Sequence, residues 1–266
     1  MGITRRRLLT ASGSALATSL PLSSARGAPL AGRQAINKSG QLRMLSQRIL
    51  KAYAQLGLGV MPKESAGILS RSVASVNTNL ADLRGAATAD AVKATLVAVD
   101  KAWAALRDPV AAAPNKGDAA AVAKLGDAML IEADKMTAQF EGALGTEVGK
   151  IVGLAGRQRM LAQKAARHYF FAAWGVAGPT DKPAFDQART EFSTALATLK
   201  AFPQNSAEIT NRITMLEDQW TFMVVAFNSE KMGVYSPAAA RNVAMASENI
   251  LALADELTGL YENLKL

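Results

Sequence analysis

The stretch GQLRMLSQRILKAY (residues 40–53) returns further along the chain as GRQRMLAQKAARHY (residues 156–169). Comparing residues 39–53 with 155–169, six of fifteen positions are identical: Gly40, Arg43, Met44, Leu45, Gln47 and Tyr53. Composition alone would give about one. Four more positions change conservatively, Ser39 to Ala155, Ser46 to Ala162, Arg48 to Lys164 and Lys51 to Arg167. The offset is 116, and it persists where NLADLR (79–84) lies over ALATLK (195–200). It drifts to 117 between Trp103 and Trp220, and to 121 between ADKMT (133–137) and ADELT (254–258). Such drift means loop insertions within a shared scaffold, so the sequence predicts a tandem duplication.

Punctuation supplies the elements. Prolines at 62, 109, 114, 179, 183, 203 and 237 fall between stretches of helical periodicity. The pattern predicts helices over 31–58, 64–84, 89–107 and 118–144, then 146–175, 183–200, 205–230 and 237–264. Ser236-Pro237 suits an N-cap followed by N1, and Thr180 or Asp181 suits the cap after Pro179. Four helices per copy with short links predict an all-α fold of two tandem four-helix up-and-down bundles, residues 28–145 and 146–266. Between them no proline intervenes. Either one long helix joins the bundles end to end, or EGALGTEVG (141–149) breaks and lets them fold side by side.

Composition agrees with helices. Hydrophobic residues make up 50% of the 266 and aromatics only 6%, enough for a packed core and poor in sheet formers. Cysteine is absent, which excludes disulfides, thiolate metal ligands and a cysteine nucleophile. Residues 1–27 carry Arg5, Arg6, Arg7 and Arg26 and no acid, with a weakly apolar middle and a small-residue end. This is the pattern of a secretory signal, and TRRRLL (4–9) looks like a twin-arginine export signal, implying a periplasmic protein. Cleavage near Gly27 leaves 26 basic against 22 acidic residues. No basic stripe interleaves with aromatics, which argues against nucleic-acid binding. No later segment is apolar enough to span a membrane.

On a helical wheel, Leu42, Leu45, Ile49, Ala52 and Leu56 form an apolar stripe suited to the bundle core. Beside it runs a mixed stripe: Ile36, Gly40, Arg43, Gln47, Leu50 and Ala54. Its counterpart is Val152, Gly156, Arg159, Gln163, Ala166 and Phe170. The mixed stripe suits a second contact surface, where glycine permits close approach. An arginine buried there needs a counter-charge, and a planar anion would satisfy it bidentately. The sequence leaves three partners open: an anion, an acid of the same chain, or another protein. Gln47 and Gln163 suit ligand contact or cross-links between helices. His168, the only histidine, is expected partly buried or at the surface. Trp103 and Trp220 are expected in the core. HExxH, GxSxG, P-loop and Glu-x-x-His patterns are all missing, so neither an enzyme, a metal site nor a cofactor is expected.

INKSGQLRMLSQRILKAY (36–53) and GLAGRQRMLAQKAARHYF (153–170) resemble the first-helix motif of the PilJ-type sensory domain, the periplasmic input module of type IV pilus chemotaxis transducers. That family is related to nitrate/nitrite sensor kinases of the NarX kind. Asn37, Gly40, Leu42, Arg43, Met44, Ser46 and Arg48 match the motif; the second copy keeps Gly156, Arg159 and Met160, with Gly153 for the asparagine and Gln158 for the leucine. The resemblance implies a small anion, nitrate or nitrite, bound near Arg43 with Asn37, Gly40 and Gln47, and near Arg159 with Gly156 and Gln163. In the sensor kinases such a site lies between two subunits. Two copies in one chain could build that interface internally if they lie side by side; stacked end to end, they would require a homodimer. The remaining partners implied are a membrane sensor, chemoreceptor or transporter. The other reading is a helical module that docks on a receptor, transporter or pilus component through the mixed stripe.

Overall fold

The computed structural model describes residue 30, residues 32–229 and residues 234–265. The expected signal segment lies outside these. Among the described residues the chain forms eight helices and no strand: α1 (Gly32–Leu58), α2 (Pro62–Ala86), α3 (Asp90–Ala111), α4 (Lys116–Leu144), α5 (Glu147–Trp174), α6 (Asp181–Lys200), α7 (Ala207–Asn228) and α8 (Pro237–Glu262). The fold is an all-α helical bundle. None of these helices is long and apolar enough to cross a membrane.

Local chemistry sets the helix ends. Asn115, Thr146, Ser206 and Ser236 each accept a hydrogen bond from the backbone N–H three residues on, satisfying a donor the helix leaves free. Ser236-Pro237 caps α8 as expected. Asp181 does not cap α6: Thr180 occupies the cap position without a side-chain bond, and Asp181 is the first helical residue. Pro109 departs from the expected pattern, because α3 continues through it to Ala111. So close to the helix end, its ring removes only a hydrogen bond of the last turn.

The long joining helix does not form. Gly145 turns left-handed at φ 64° and closes α4, and Thr146 then caps α5. A left-handed residue is cheap for glycine, so the chain reverses here and the two halves lie side by side. The most extensive helix contact of the fold is α1 against α5. They run parallel: Ile36 lies against Gly149, Gln47 reaches Arg167, and Gly57 packs on Trp174. Around this pair, α2 and α4 pack on α1, and α6 and α8 pack on α5; α3 packs on α4, and α7 on α8. Both wheel stripes of α1 are therefore buried except at Leu56, since the helix has neighbours on nearly every side.

Side-chain contacts recur at the offsets seen in the sequence. Trp103 donates to Asn77 at 2.9 Å, and Trp220 donates to Ser193 at 3.3 Å. Both indoles are buried, as expected. Arg84 pairs with Asp100, and Lys200 with Glu217. Thr137 bonds to the Ala133 carbonyl, and Thr258 to that of Ala254. One matched position breaks the rule. Where α1 has Leu42, α5 has Gln158, fully buried, with neither amide atom hydrogen-bonded.

An unsatisfied buried amide costs about 1–3 kcal/mol. Gln158→Leu, which restores the residue of the matching position at similar volume, should stabilise the protein by about 1–2 kcal/mol in urea unfolding. Unchanged or reduced stability would show that the amide has a partner in solution.

Candidate functional site

The helices that meet at the seam, α1 and α5, carry most of the buried polar side chains among the described residues. Four of them are cations: Arg43 and Lys51 on α1, Arg159 and Arg167 on α5. A buried charge survives only with a counter-charge, and each finds a carboxylate on α4 or α8. Arg43 donates to Asp134 at 2.9 Å, and Arg159 pairs with Asp255. Asp134 and Asp255 are the matched aspartates of ADKMT and ADELT. These two pairs stay within one half of the chain. The other two cross between halves: Lys51 donates to Glu248 at 2.6 Å, and Arg167 holds Asp127 with two nitrogens. Glu248 and Asp127 are again 121 apart. The cations are at most 4% exposed, while Asp134 and Asp255 are about half exposed. The seam is thus positive inside and negative at its rim.

The two arginines converge. A Cβ added at Gly40 would lie 3.3 Å from Arg43 Nη2 and 3.6 Å from Arg159 Nη2. At Gly156 it would lie 2.9 Å from Arg159 Nη2. The glycines leave room for guanidinium groups folded back over their own helix. Each arginine also reaches the opposite helix at matched positions. Arg43 Nη2 donates to the Gly153 carbonyl at 3.2 Å, and Arg159 Nη2 donates to Asn37, at 2.9 Å to the side-chain oxygen and 3.4 Å to the carbonyl. Asn37 in turn donates to Glu262. Burial lowers the pKa of both arginines against the pull of their aspartates, and the Arg43 charge lowers that of Arg159 further. Arg43 Nε is buried without an acceptor.

All seven expected site residues line this seam, but the two glutamines do not converge with the arginines. Gln47 accepts from Arg167 at 3.0 Å, joining the halves, and Gln163 donates to the Ser247 carbonyl at 2.7 Å. The mixed stripe is not an open docking face, because each half covers the stripe of the other. Each arginine meets its counterpart within one chain, so the second chain that end-to-end stacking would require is not needed here. His168 also departs from expectation. It is buried, and its Nδ1 lies 2.6 Å from Asp181 Oδ1, across the turn from α5 to α6. Thirteen residues separate the two in sequence, so a search for adjacent acids misses the pair. Of the seam carboxylates, Asp134 and Asp255 were legible only as matched aspartates and Glu248 and Asp127 not at all, while Lys51 and Arg167 were legible only as a charge matched between the copies.

Residues 30–128 match the family described as the type IV pili methyl-accepting chemotaxis transducer N-terminal domain, PilJ. The match covers α1 to α3 and the first part of α4, including Asn37, Gly40 and Arg43, and ends before Asp134. No curated protein and no solved structure matches the chain.

Burial alone would raise the Glu248 pKa; the Lys51 charge and the Arg48 hydrogen bond outweigh it and hold it at about 2, against an ordinary 4.5. The unfolded chain therefore takes up this proton first as the pH falls. The stability supplied by the pair is complete above about 4.5 and is lost progressively toward about 2. Glu248→Gln should lower stability at neutral pH by about 3 kcal/mol, since it strands Lys51, and should flatten the acid side of a melting-temperature profile. An acid limb unchanged by the substitution would place that proton uptake elsewhere.

Proposed function

We propose that the chain is a periplasmic sensory protein made of two PilJ-type modules, residues 28–145 and 146–266, which binds a small oxyanion at the paired arginines and passes the signal to a membrane partner. Nitrate and nitrite are the first candidates. The observation that carries this reading is the meeting of Arg43 and Arg159 over Gly40, with Gly40 and Arg43 inside the segment that matches the transducer N-terminal domain. The seam would then be an internal version of an interface between two subunits.

Several features support an anion there. Two like charges held together in a low-dielectric seam repel, and an anion between them relieves the repulsion. Arg43 Nε has an unused donor. A planar oxyanion accepts from guanidinium in the plane that carboxylates use. Asp134 and Asp255 now fill that role, and because each is about half exposed, it can return to water when an anion takes its place. Binding is then an exchange of carboxylate for anion, and the released α4 and α8 rims are what a partner would detect. The partner belongs to the membrane sensor, chemoreceptor or transporter class, as the transducer domain match supports.

Calorimetric titration of residues 28–266 with nitrate, nitrite, sulfate and chloride tests the reading. Nitrate or nitrite should bind, and Arg43→Ala or Arg159→Ala should weaken binding at least about ten-fold. Asp134→Asn removes the competing carboxylate and should tighten it. The absence of heat and of any thermal shift for all four anions would sink the anion reading and leave a helical module that docks on a receptor or pilus component.

A further inference from the structure

A second cleft opens where the first turn of α6 meets α4 and α5. It encloses about 500 Å³ and is lined by Lys124 and Asp127 from one half and by Lys164, Arg167, His168 and Asp181 from the other. The repeat offsets, applied back for α5 and α6 and forward for α4, locate its counterpart, a cleft of about 520 Å³ lined by Gln55, Ser65, Met245 and Glu248. The two have the same place in the scaffold and different chemistry. In the first-half cleft Ser65 bonds to Gln55 and to the Val60 carbonyl, and no histidine lines it. There, Met245 stands where the other cleft has Lys124, Ser65 where it has Asp181, and Ala52 where it has His168.

The second cleft has polar capacity left over. Asp181 accepts the Gly178 N–H at 2.7 Å and faces His168 Nδ1 at 2.6 Å. Despite its burial, the hydrogen bonds from His168 and Gly178 keep its carboxyl below the ordinary range. A carboxylate accepts, so Nδ1 carries the proton and Nε2 the lone pair. Burial lowers the His168 pKa, which keeps the ring neutral. His168 is 3% exposed, and its Nε2 has no partner. Whatever meets Nε2 must therefore donate. Arg167 is engaged by Asp127 and lies 5.2 Å over the Phe171 ring. Lys124 and Lys164 have no carboxylate within ion-pair distance among the described residues. Three cations stand against two carboxylates, so an anion is favoured and an ammonium donor is repelled. A neutral donor fits there, and a hydroxyl is the simplest one.

We propose that this cleft binds a small hydroxycarboxylate, its hydroxyl donating to His168 Nε2 and its carboxylate held by Lys124 and Lys164 beside the Phe171 face. The cleft shares the Arg167–Asp127 pair with the seam but not Arg43 or Arg159, and it does not depend on an anion binding between those two arginines. A pocket of this size suits a small metabolite, and the pairing of a neutral acceptor with free ammonium groups discriminates by hydroxyl as well as by charge.

The test is titration of residues 28–266, followed by NMR and calorimetry, with glycolate, L-lactate and L-malate against acetate and succinate, which lack the hydroxyl. The hydroxylated acids should bind at millimolar concentration or below, at least about ten-fold tighter than their counterparts. His168→Ala, the residue of the matching position, should remove that preference. Lys164→Gln, which breaks no ion pair, should weaken all five by about ten-fold. Arg43→Ala should leave binding intact. No binding of any hydroxy acid to the wild type would overturn the proposal. So would binding indifferent to both cleft substitutions, or binding lost in Arg43→Ala alone, which would place the ligand at the seam. Circular dichroism confirms the fold of each variant, and the Lys164→Gln result decides if His168→Ala does not fold.

Discussion

A guanidinium buried between two helices has to be neutralised, and in this chain the neutralising carboxylates come from α4 and α8. That requirement ties the outer elements to the central pair. Arg43 draws Asp134 to α1, and Arg159 draws Asp255 to α5. Lys51 and Arg167 reach across the seam to Glu248 and Asp127. The first two pairs close each half upon itself, and the second two fasten the halves together. Because α1 and α5 run parallel and in register, equivalent residues face one another, and one charge pattern serves twice.

The central seam is consequently polar where a bundle of this size could be apolar. Buried ion pairs give little net stability compared with well-packed hydrocarbon, but they penalise every arrangement that separates them. A slip of one half along the other by one turn would strand Lys51 and Arg167, whose carboxylates lie across the seam. The glycines serve the same specificity. Gly57 meets the Trp174 ring and Gly126 meets Leu50 so closely that an added methyl would overlap them, which fixes how near the helices come. The outer helices carry ordinary apolar cores, richer in aromatics in the second half, where Phe185, Trp220 and Phe227 pack edge to face.

Much of this was legible in the sequence. The offset of 116 at Gly40, Arg43, Gln47 and Tyr53 indicated that one helix is used twice, and the wheel separated a core stripe from a mixed stripe that does lie at a second helix contact. The seven candidate positions all fall along that contact. What could not be read was the partner of each cation. Asp134 lies 91 residues from Arg43, and Glu248 197 from Lys51. Such pairings depend on how two halves dock, which periodicity does not encode. The break at Gly145 was also ambiguous, because a glycine near a helix end can cap it or pack within it. Its left-handed φ decides, and φ is a property of the folded chain. His168 was misplaced for a related reason: Asp181 is distant along the chain but opens the helix that follows the reversal after α5.

The two halves are locked side by side by charges that cross the α1–α5 seam. A double-mutant cycle on Arg167 and Asp127, using Arg167→Met, Asp127→Asn and the pair, measures that lock in reversible urea unfolding. The two substitutions should be coupled by about 1–3 kcal/mol. Effects that add to within about 0.3 kcal/mol would mean that α5 and α4 do not meet in solution, and would contradict the side-by-side seam.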